Sequence, residues 1–369
     1  MQYGLLSNFS KEEQDFLFSL LDTCSPSGSE GELMVVIKNF LADKGIVLES
    51  DIIGNLYISA EGCKNHRFNL MLTAHGDEVG FQVSLIDKNG FVYLRRLGGV
   101  DRQTMPASKL SVVGKDRDLI GVFGKKPPHV QSESEKSAVI TQESLFVDFG
   151  FKSADEAKTY VSIGDYITLS PDSHLSKNNS YIISKGLDNK INVFVLSVVL
   201  GRLAMKGNFP KDVVGVITVQ EEIGCRGSII ASQKLSPKIG ICLDVGIATD
   251  TPPLANEVSL SEFKLGNGFG LCISPENNSI LVDELRQICR DNSIPYQDSI
   301  GFRPAGGTET SRIQLQSSGI VTAHISMPNR YMHSTVEMCS IFDTQALIDL
   351  LILLLNSKKI KEDILYNRF

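Results

Sequence analysis

The sequence predicts an α/β fold, a central mixed sheet flanked by helices on both faces, interrupted by a smaller β-rich domain. Three observations predict it. Apolar runs of strand length alternate with helical periodicity in the first eighty residues and again after about residue 170. The stretch between is dense in short β-type segments and turn signals. The 369 residues, 42% of them hydrophobic, can bury more than one small core, which favours two domains. The expected division is 1–80 and 171–369 for the α/β part and 81–170 for the insertion.

Taken in order, 10–13 (SKEE) and 29–32 (SEGE) each read as a capping box, in which a Ser and a Glu three residues later satisfy free backbone donors at a helix start. The second helix carries Leu33, Val36, Ile37, Phe40 and Leu41 at helical spacing and stops near Gly45. Short strands follow over 56–59 and 68–73. In the insertion, 87–90 (DKNG) between Val83 and Phe91 is a hairpin turn, Gly98 and Gly99 mark another, and a strand over 165–169 closes the segment. The remainder reads as a helix over 188–205, strands over 213–220 and 238–243, a helix over 280–292, a strand over 321–327 and a last helix over 343–356.

Bulk properties exclude several function classes. A formal charge of −7 advertises no basic face for nucleic acid or an anionic membrane. The longest apolar runs, 191–200 and 346–355, fall short of the roughly 18 residues that a membrane-spanning helix needs. The first sixteen residues lack a charged segment followed by an apolar core, so a cytoplasmic location is expected. Seven cysteines, with no C-x-x-C pair, read as reduced apolar residues rather than a disulfide framework or a structural zinc knot.

Ligands of open α/β sheets bind beyond the carboxyl ends of strands. Four apolar runs end there in residues that divalent metals accept: 70–77 (LMLTAHGD) in His75 and Asp77, 216–222 (VITVQEE) in Glu221 and Glu222, 239–244 (IGICLD) in Asp244, and 323–333 (AHISMPNRYMH) in His333. A fifth carboxylate, Asp188, begins a helix. Singly, each has a plain explanation: a helix cap, a turn residue or a surface histidine. Together they suggest a metal centre. Asp77 suits a role behind His75, accepting the imidazole's second N–H. Two adjacent carboxylates at a strand end face opposite ways, so one of Glu221 and Glu222 can ligate while the other takes a proton. His66, His174 and His324 read as structural or surface, and His129, after two prolines, is ambiguous.

The ordered strings 74–81 (AHGDEVGF), 124–129 (GKKPPH), 145–150 (LFVDFG), 219–227 (VQEEIGCRG), 244–252 (DVGIATDTP) and 330–334 (RYMHS) resemble the tetrahedral aminopeptidases, or glutamyl aminopeptidase family, of dinuclear metallopeptidases. The resemblance covers nearly the whole chain. It implies two divalent ions per subunit, zinc or cobalt. His75 and Asp244 would bind one, Glu222 and His333 the other, Asp188 would bridge both, Glu221 would be the general base, and Asp77 would orient His75. It also implies short peptides as substrate and an insertion that serves as the dimerisation domain of a twelve-subunit tetrahedral shell. Two departures bear on substrate preference and turnover: Asn189 and Lys190 follow Asp188 where the family typically has Asp-Arg, and Glu309 stands where it commonly has Asp. Two other readings stay open, a catalytically weakened homologue that binds peptides or serves as a structural assembly, and a glycoside hydrolase. The latter leaves the histidines unexplained.

Overall fold

A computed structural model describes residues 6–64, 67–114, 119–141, 144–255, 257, 261–300 and 306–357. The turn assigned to His66 lies outside the described residues.

Helix α1 (Lys11–Leu21) opens on the expected capping box: Ser10 accepts from Glu13 N and the Glu13 carboxylate accepts from Ser10 N. Helix α2 (Gly31–Leu41) buries Leu33, Ile37 and Leu41 against it. Strands β1 (Val47–Ser50), β2 (Leu56–Ser59) and β3 (Leu70–His75) lead into six strands of the insertion: β4 (Gly80–Ile86), β5 (Val92–Leu97), β6 (Lys109–Val112), β7 (Ile120–Phe123), β8 (Phe146–Asp148) and β9 (Tyr166–Leu169). The insertion also carries α3 (Glu133–Lys136) and α4 (Ala154–Tyr160). Strands β10 (His174–Leu175) and β11 (Tyr181–Ser184) return to the α/β part. There follow α5 (Leu187–Met205), β12 (Val213–Thr218), α6 (Arg226–Leu235), β13 (Ile239–Ile247), β14 (Phe269–Cys272), α7 (Ser279–Asn292), β15 (Tyr296–Ser299), α8 (Thr310–Ile313), β16 (Val321–Asn329), β17 (Glu337–Ser340) and α9 (Ile341–Asn356).

The main sheet has eight strands in the order β1-β2-β12-β3-β13-β16-β14-β15. Its four central strands, β12, β3, β13 and β16, are mutually parallel, and antiparallel pairings flank them at β2 and β14. The centre is parallel because these segments are apolar on both faces, which suits strands covered on both sides. Helices α1, α2, α5, α7 and α9 share the larger core on one face. On the other, α6 and α8 bring Ala231, Leu235 and Ile313 over Met71, Val214 and Val216. Helix α5 is apolar around nearly its whole circumference and buried along nearly its whole length, as a central helix must be.

The insertion's six strands close into a barrel, β4-β5-β8-β7-β6-β9, around its own core of Phe81, Val92, Leu94, Leu110, Phe123 and Ile167. The 87–90 turn is the expected hairpin: Gly90 has φ +92°, and the Asp87 carboxylate accepts from Asn89 N and Phe91 N. A small third sheet, β10-β11-β17, packs beside α5.

Three local expectations shift. The second capping box does not form, because Glu30, not Ser29, precedes α2, and the Glu32 carboxylate turns to Cys24 N instead of reaching back. The strand expected over 213–220 ends at Thr218, where Gln220 takes φ +58° and turns the chain. Asp188 lies within the span of α5 but not in helical conformation: it has φ −75° and ψ 101°, and its peptide bond to Asn189 is cis.

Candidate metal centre

The parallel strands bring the predicted residues to one edge of the sheet. His75 is the last residue of β3, and Asp244 lies within β13 on the neighbouring strand. Glu221 and Glu222 sit on the turn after β12, His333 on the loop after β16, and Asp188 at the mouth of α5. This is the carboxyl edge of the parallel strands.

Two clusters form around one shared carboxylate, and a third group joins His75 to Glu221 and Glu222, with donor atoms within 4.8 Å of one another. His75 Nε2 lies 3.2 Å from Asp188 Oδ1 and 3.4 Å from Asp244 Oδ1. His333 Nε2 lies 3.2 Å from Asp188 Oδ2 and 3.2 Å from Glu222 Oε1. The two oxygens of Asp188 thus face different imidazoles. Two ligand atoms each about 2.1 Å from a tetrahedral zinc lie about 3.4 Å apart, so the spacing suits donors converging on a cation. Asp188 Oδ1 is buried and makes no hydrogen bond of proper geometry, which leaves it free for a cation. Imidazole nitrogens and carboxylate oxygens are also the donor set that zinc and cobalt accept.

The electrostatics follow from crowding. Burial opposes protonation of His75, yet the Asp188, Asp244 and Asp77 carboxylates outweigh it and hold the imidazole pKa well above its ordinary value. Burial likewise opposes a charge on His333, but Asp188 and Glu222 raise it to about 11. Burial would raise Asp188, and the two imidazoles overcome that and lower it. Burial pushes Glu222 up to about 7 and Glu221 well above the usual carboxylate range. A field that draws protons onto imidazoles this strongly also draws cations.

Asp77 works on two fronts. His75 Nδ1 meets the Asp77 carbonyl oxygen at 3.0 Å and its carboxylate only at 3.6 Å, so the main chain makes the closer contact. The carboxylate accepts from Glu221 N at 2.8 Å, Glu222 N at 3.1 Å and the Ser27 hydroxyl at 2.5 Å. This anchored turn, not strand alternation, places the two glutamates, whose carboxylates lie within 4.8 Å of each other and of His75.

A sequence profile of the M42 glutamyl aminopeptidases matches residues 54–350. The chain belongs to the M42 glutamyl aminopeptidase family. It is an aminopeptidase, and thus a peptide hydrolase. It is 30% identical over 331 residues to the lysyl aminopeptidase of Pyrococcus furiosus, spanning 89% of this chain and 91% of that one. Among solved structures it matches the TET aminopeptidase of Thaumarchaeota archaeon SCGC AB-539-E09 with a TM-score of 0.86 at 29% identity, over 95% of this chain and 98% of that one. It matches the Pyrococcus horikoshii TET1 peptidase, which can assemble into a tetrahedron or a large octahedral shell, with a TM-score of 0.80 at 25% identity, over 93% and 98% of the two chains.

Around the candidate site lie Glu30 and Glu337, for which no sequence signal spoke, and Asn189, Lys190 and Glu309, the departures from the family pattern. The Glu30 carboxylate accepts from Gln220 N at 3.1 Å, anchoring the other end of the glutamate turn, and burial beside Asp77 raises it to about 7. Glu337, raised to about 8 by burial and the Asp188 charge, accepts from the main chain of both Asp188 and His333. Asn189 donates to Leu243 O, tying the start of α5 to β13. Lys190 is fully buried and shares the Glu78 carboxylate with Lys185. Glu309 is buried near His75 and Asp244, and burial raises it to about 7.

Two openings reach this M42 cluster. A cavity of about 360 Å³ is walled by Val245, Ile247, Phe263, Ser326 and Met332, with His333 at its rim. His324, read from sequence as structural or surface, lines it, and its Nε2 is buried without a hydrogen-bond partner. A more open groove of about 740 Å³ runs past Glu221, Glu222, Cys225, Arg312 and Leu315. His129 and His174 lie away from the cluster, both exposed. No helix among the described residues is long and apolar enough to cross a membrane.

Proposed function

We propose that this aminopeptidase removes N-terminal residues from short peptides at a dinuclear metal centre held by His75, Asp188, Glu222, Asp244 and His333, with Glu221 as general base. The single observation that carries the reading is the pairing of each Asp188 oxygen with a different imidazole, His75 on one side and His333 on the other, at 3.2 Å. Zinc or cobalt suits the donor set.

Two divalent ions held there would supply Lewis acidity, lowering the pKa of water toward about 7 and offsetting charge that builds on the scissile carbonyl oxygen. Glu221 has no place among the five ligands. Its carboxylate lines the open groove, is hydrogen-bonded by the Cys225 thiol at 3.1 Å, and by burial holds a proton more tightly than an exposed glutamate. It would take a proton from the attacking water and return it to the departing amine. The apolar cavity beside the cluster offers room for the first side chain of the peptide, and the groove offers room for the residues that follow.

The segments 1–80 and 171–369 would form the catalytic domain and 81–170 a dimerisation domain. The ability of the Pyrococcus horikoshii TET1 peptidase to form a tetrahedron supports a twelve-subunit assembly of dimers here. A cytoplasmic location accords with short peptides as substrate.

The test is metal content per chain by elemental analysis, paired with cleavage of free-amine and N-acetylated peptides before and after chelation. Two ions, chelator-sensitive cleavage and no action on blocked peptides are expected. Two ions without any cleavage would favour a peptide-binding homologue, and no uptake after reconstitution would sink the centre.

A further inference from the structure

We infer that Glu337 is a positioning residue that shapes one of the two cation pockets, that of Glu222, His333 and Asp188, through hydrogen bonds to the main chain of two ligands. The inference rests on the two-ion reading above. Glu337 opens β17 and is 2% exposed. Its Oε2 accepts from Asp188 N at 2.8 Å and from Asn329 Nδ2 at 3.3 Å, and its Oε1 accepts from His333 N at 3.0 Å. One carboxylate therefore ties the shared ligand to the histidine of the second pocket.

Each bond answers a local need. Asp188 stands outside helical conformation at the start of α5, so its buried N–H takes no part in the helix's own hydrogen bonds and must find an acceptor elsewhere. Glu337 supplies it, 149 residues away. His333 has φ +63° and Tyr331 has φ +64°, left-handed backbone that residues with a Cβ adopt only when surroundings hold it. Glu337 holds the His333 N–H, while the His333 carbonyl accepts from Asp101 N at 3.0 Å. Gly99 lies against the ring itself: a Cβ there would come within 2.8 Å of His333 Nδ1.

The other pocket shares Asp188 but not the His333 loop. His75 is fixed by the β3 ladder and the Asp77 carbonyl, and Asp244 by β13, with its own Oδ1 accepting from Val245 N. Loss of Glu337 should therefore act unequally on the two pockets.

The experiment titrates zinc into the full-length, metal-stripped chain and its Glu337→Gln and Glu337→Ala variants, reading both site affinities by calorimetry and the fold by circular dichroism. Expected is one site weakened about 10–100-fold in Glu337→Ala, the range for loss of a group that orients ligands, with the other site, which shares only Asp188, weakened less. Glu337→Gln, which keeps one acceptor oxygen, should fall between, and it carries the test if Glu337→Ala does not fold. Equal weakening of both sites, or no weakening of either, would overturn the inference. Fewer than two zinc ions in the unaltered chain would instead sink the two-ion reading.

Discussion

At the scale of single residues, Glu221 and Asp77 are to be told apart by what their loss changes. Glu221→Gln removes a proton acceptor but keeps size and shape, so the two ions should remain while kcat falls about 10²–10⁴-fold. Steady-state kinetics with elemental analysis on one preparation would read both. Asp77→Asn leaves Glu221 in place but loses one of the oxygens that fix the 220–222 turn. There the metal affinity should fall about 10–100-fold, read by competition with a chelator. Metal retained at full affinity in Asp77→Asn would remove Asp77 from that role. Much of this site was legible in the sequence because apolar runs ending in His or a carboxylate announce themselves, as at His75, Asp244 and Glu222. Glu337, Glu30 and Ser27 were not legible: each makes one of its contacts to the site with a partner at least fifty residues away, which nothing near it in the chain records.

At the scale of elements, the start of α5 is where the buried charges gather. Lys185 and Lys190 both donate to Glu78, which follows β3, and both reach Thr23 O beyond α1. Burial would raise Glu78, but the two ammonium groups outweigh it and hold the carboxylate near 2 instead of its ordinary 4.5. Between those pH values the unfolded chain binds more protons than the folded one. Stability therefore rises as pH climbs through that window and is lost on acidification. Lys190 is lowered from 10.5 to about 8, chiefly by burial, and the penalty this carries is relieved only as pH rises beyond about 8. Glu78→Gln should flatten the acid limb of urea midpoint against pH, and should cost about 3–5 kcal/mol near neutrality by leaving buried ammonium groups unpaired. An unchanged acid limb would count against the account. Long, strongly patterned elements such as α5 and α9 were readable from their apolar runs. Helix α6 was not, because its buried face is built from Gly227, Ser228, Ala231 and Ser232, which carry little apolar signal, with Leu235 as its one large apolar side chain. The four-residue strands β14 and β15 take their place from pairing with β16 and each other, which no local pattern announces.

At the scale of the whole molecule, the barrel has its own core and connects to the rest of the chain before β4 and after β9. Its surface leaves Leu85, Ile120, Val122 and Ile163 exposed, apolar side chains of the kind that subunit contacts cover. Light scattering on the intact chain should report about twelve subunits per particle. Charged replacements at Val122 and Ile163 together should shift the distribution toward smaller species without changing metal content per chain. A particle that stays monomeric at every concentration would remove the shell from the proposal. The β-rich texture of the insertion was readable from its turns, but closure into a barrel was not, since it depends on β9 pairing with both β4 and β6 across long stretches of chain.

The five residues proposed to take ions stand at 75, 188, 222, 244 and 333, on five separate segments, and four of them are brought together by strands whose neighbours in space are not neighbours in sequence. No fragment of the chain short of residue 333 holds a complete set. Ion capture at the proposed centre would thus be a late event in the life of each molecule, a certificate that the topology has closed, since contacts of such long range form slowly. A nascent or partly refolded chain would offer scattered carboxylates with little grip on zinc. The finished sheet offers them all at once, so that the step from inert polypeptide to hydrolase is as cooperative as folding itself.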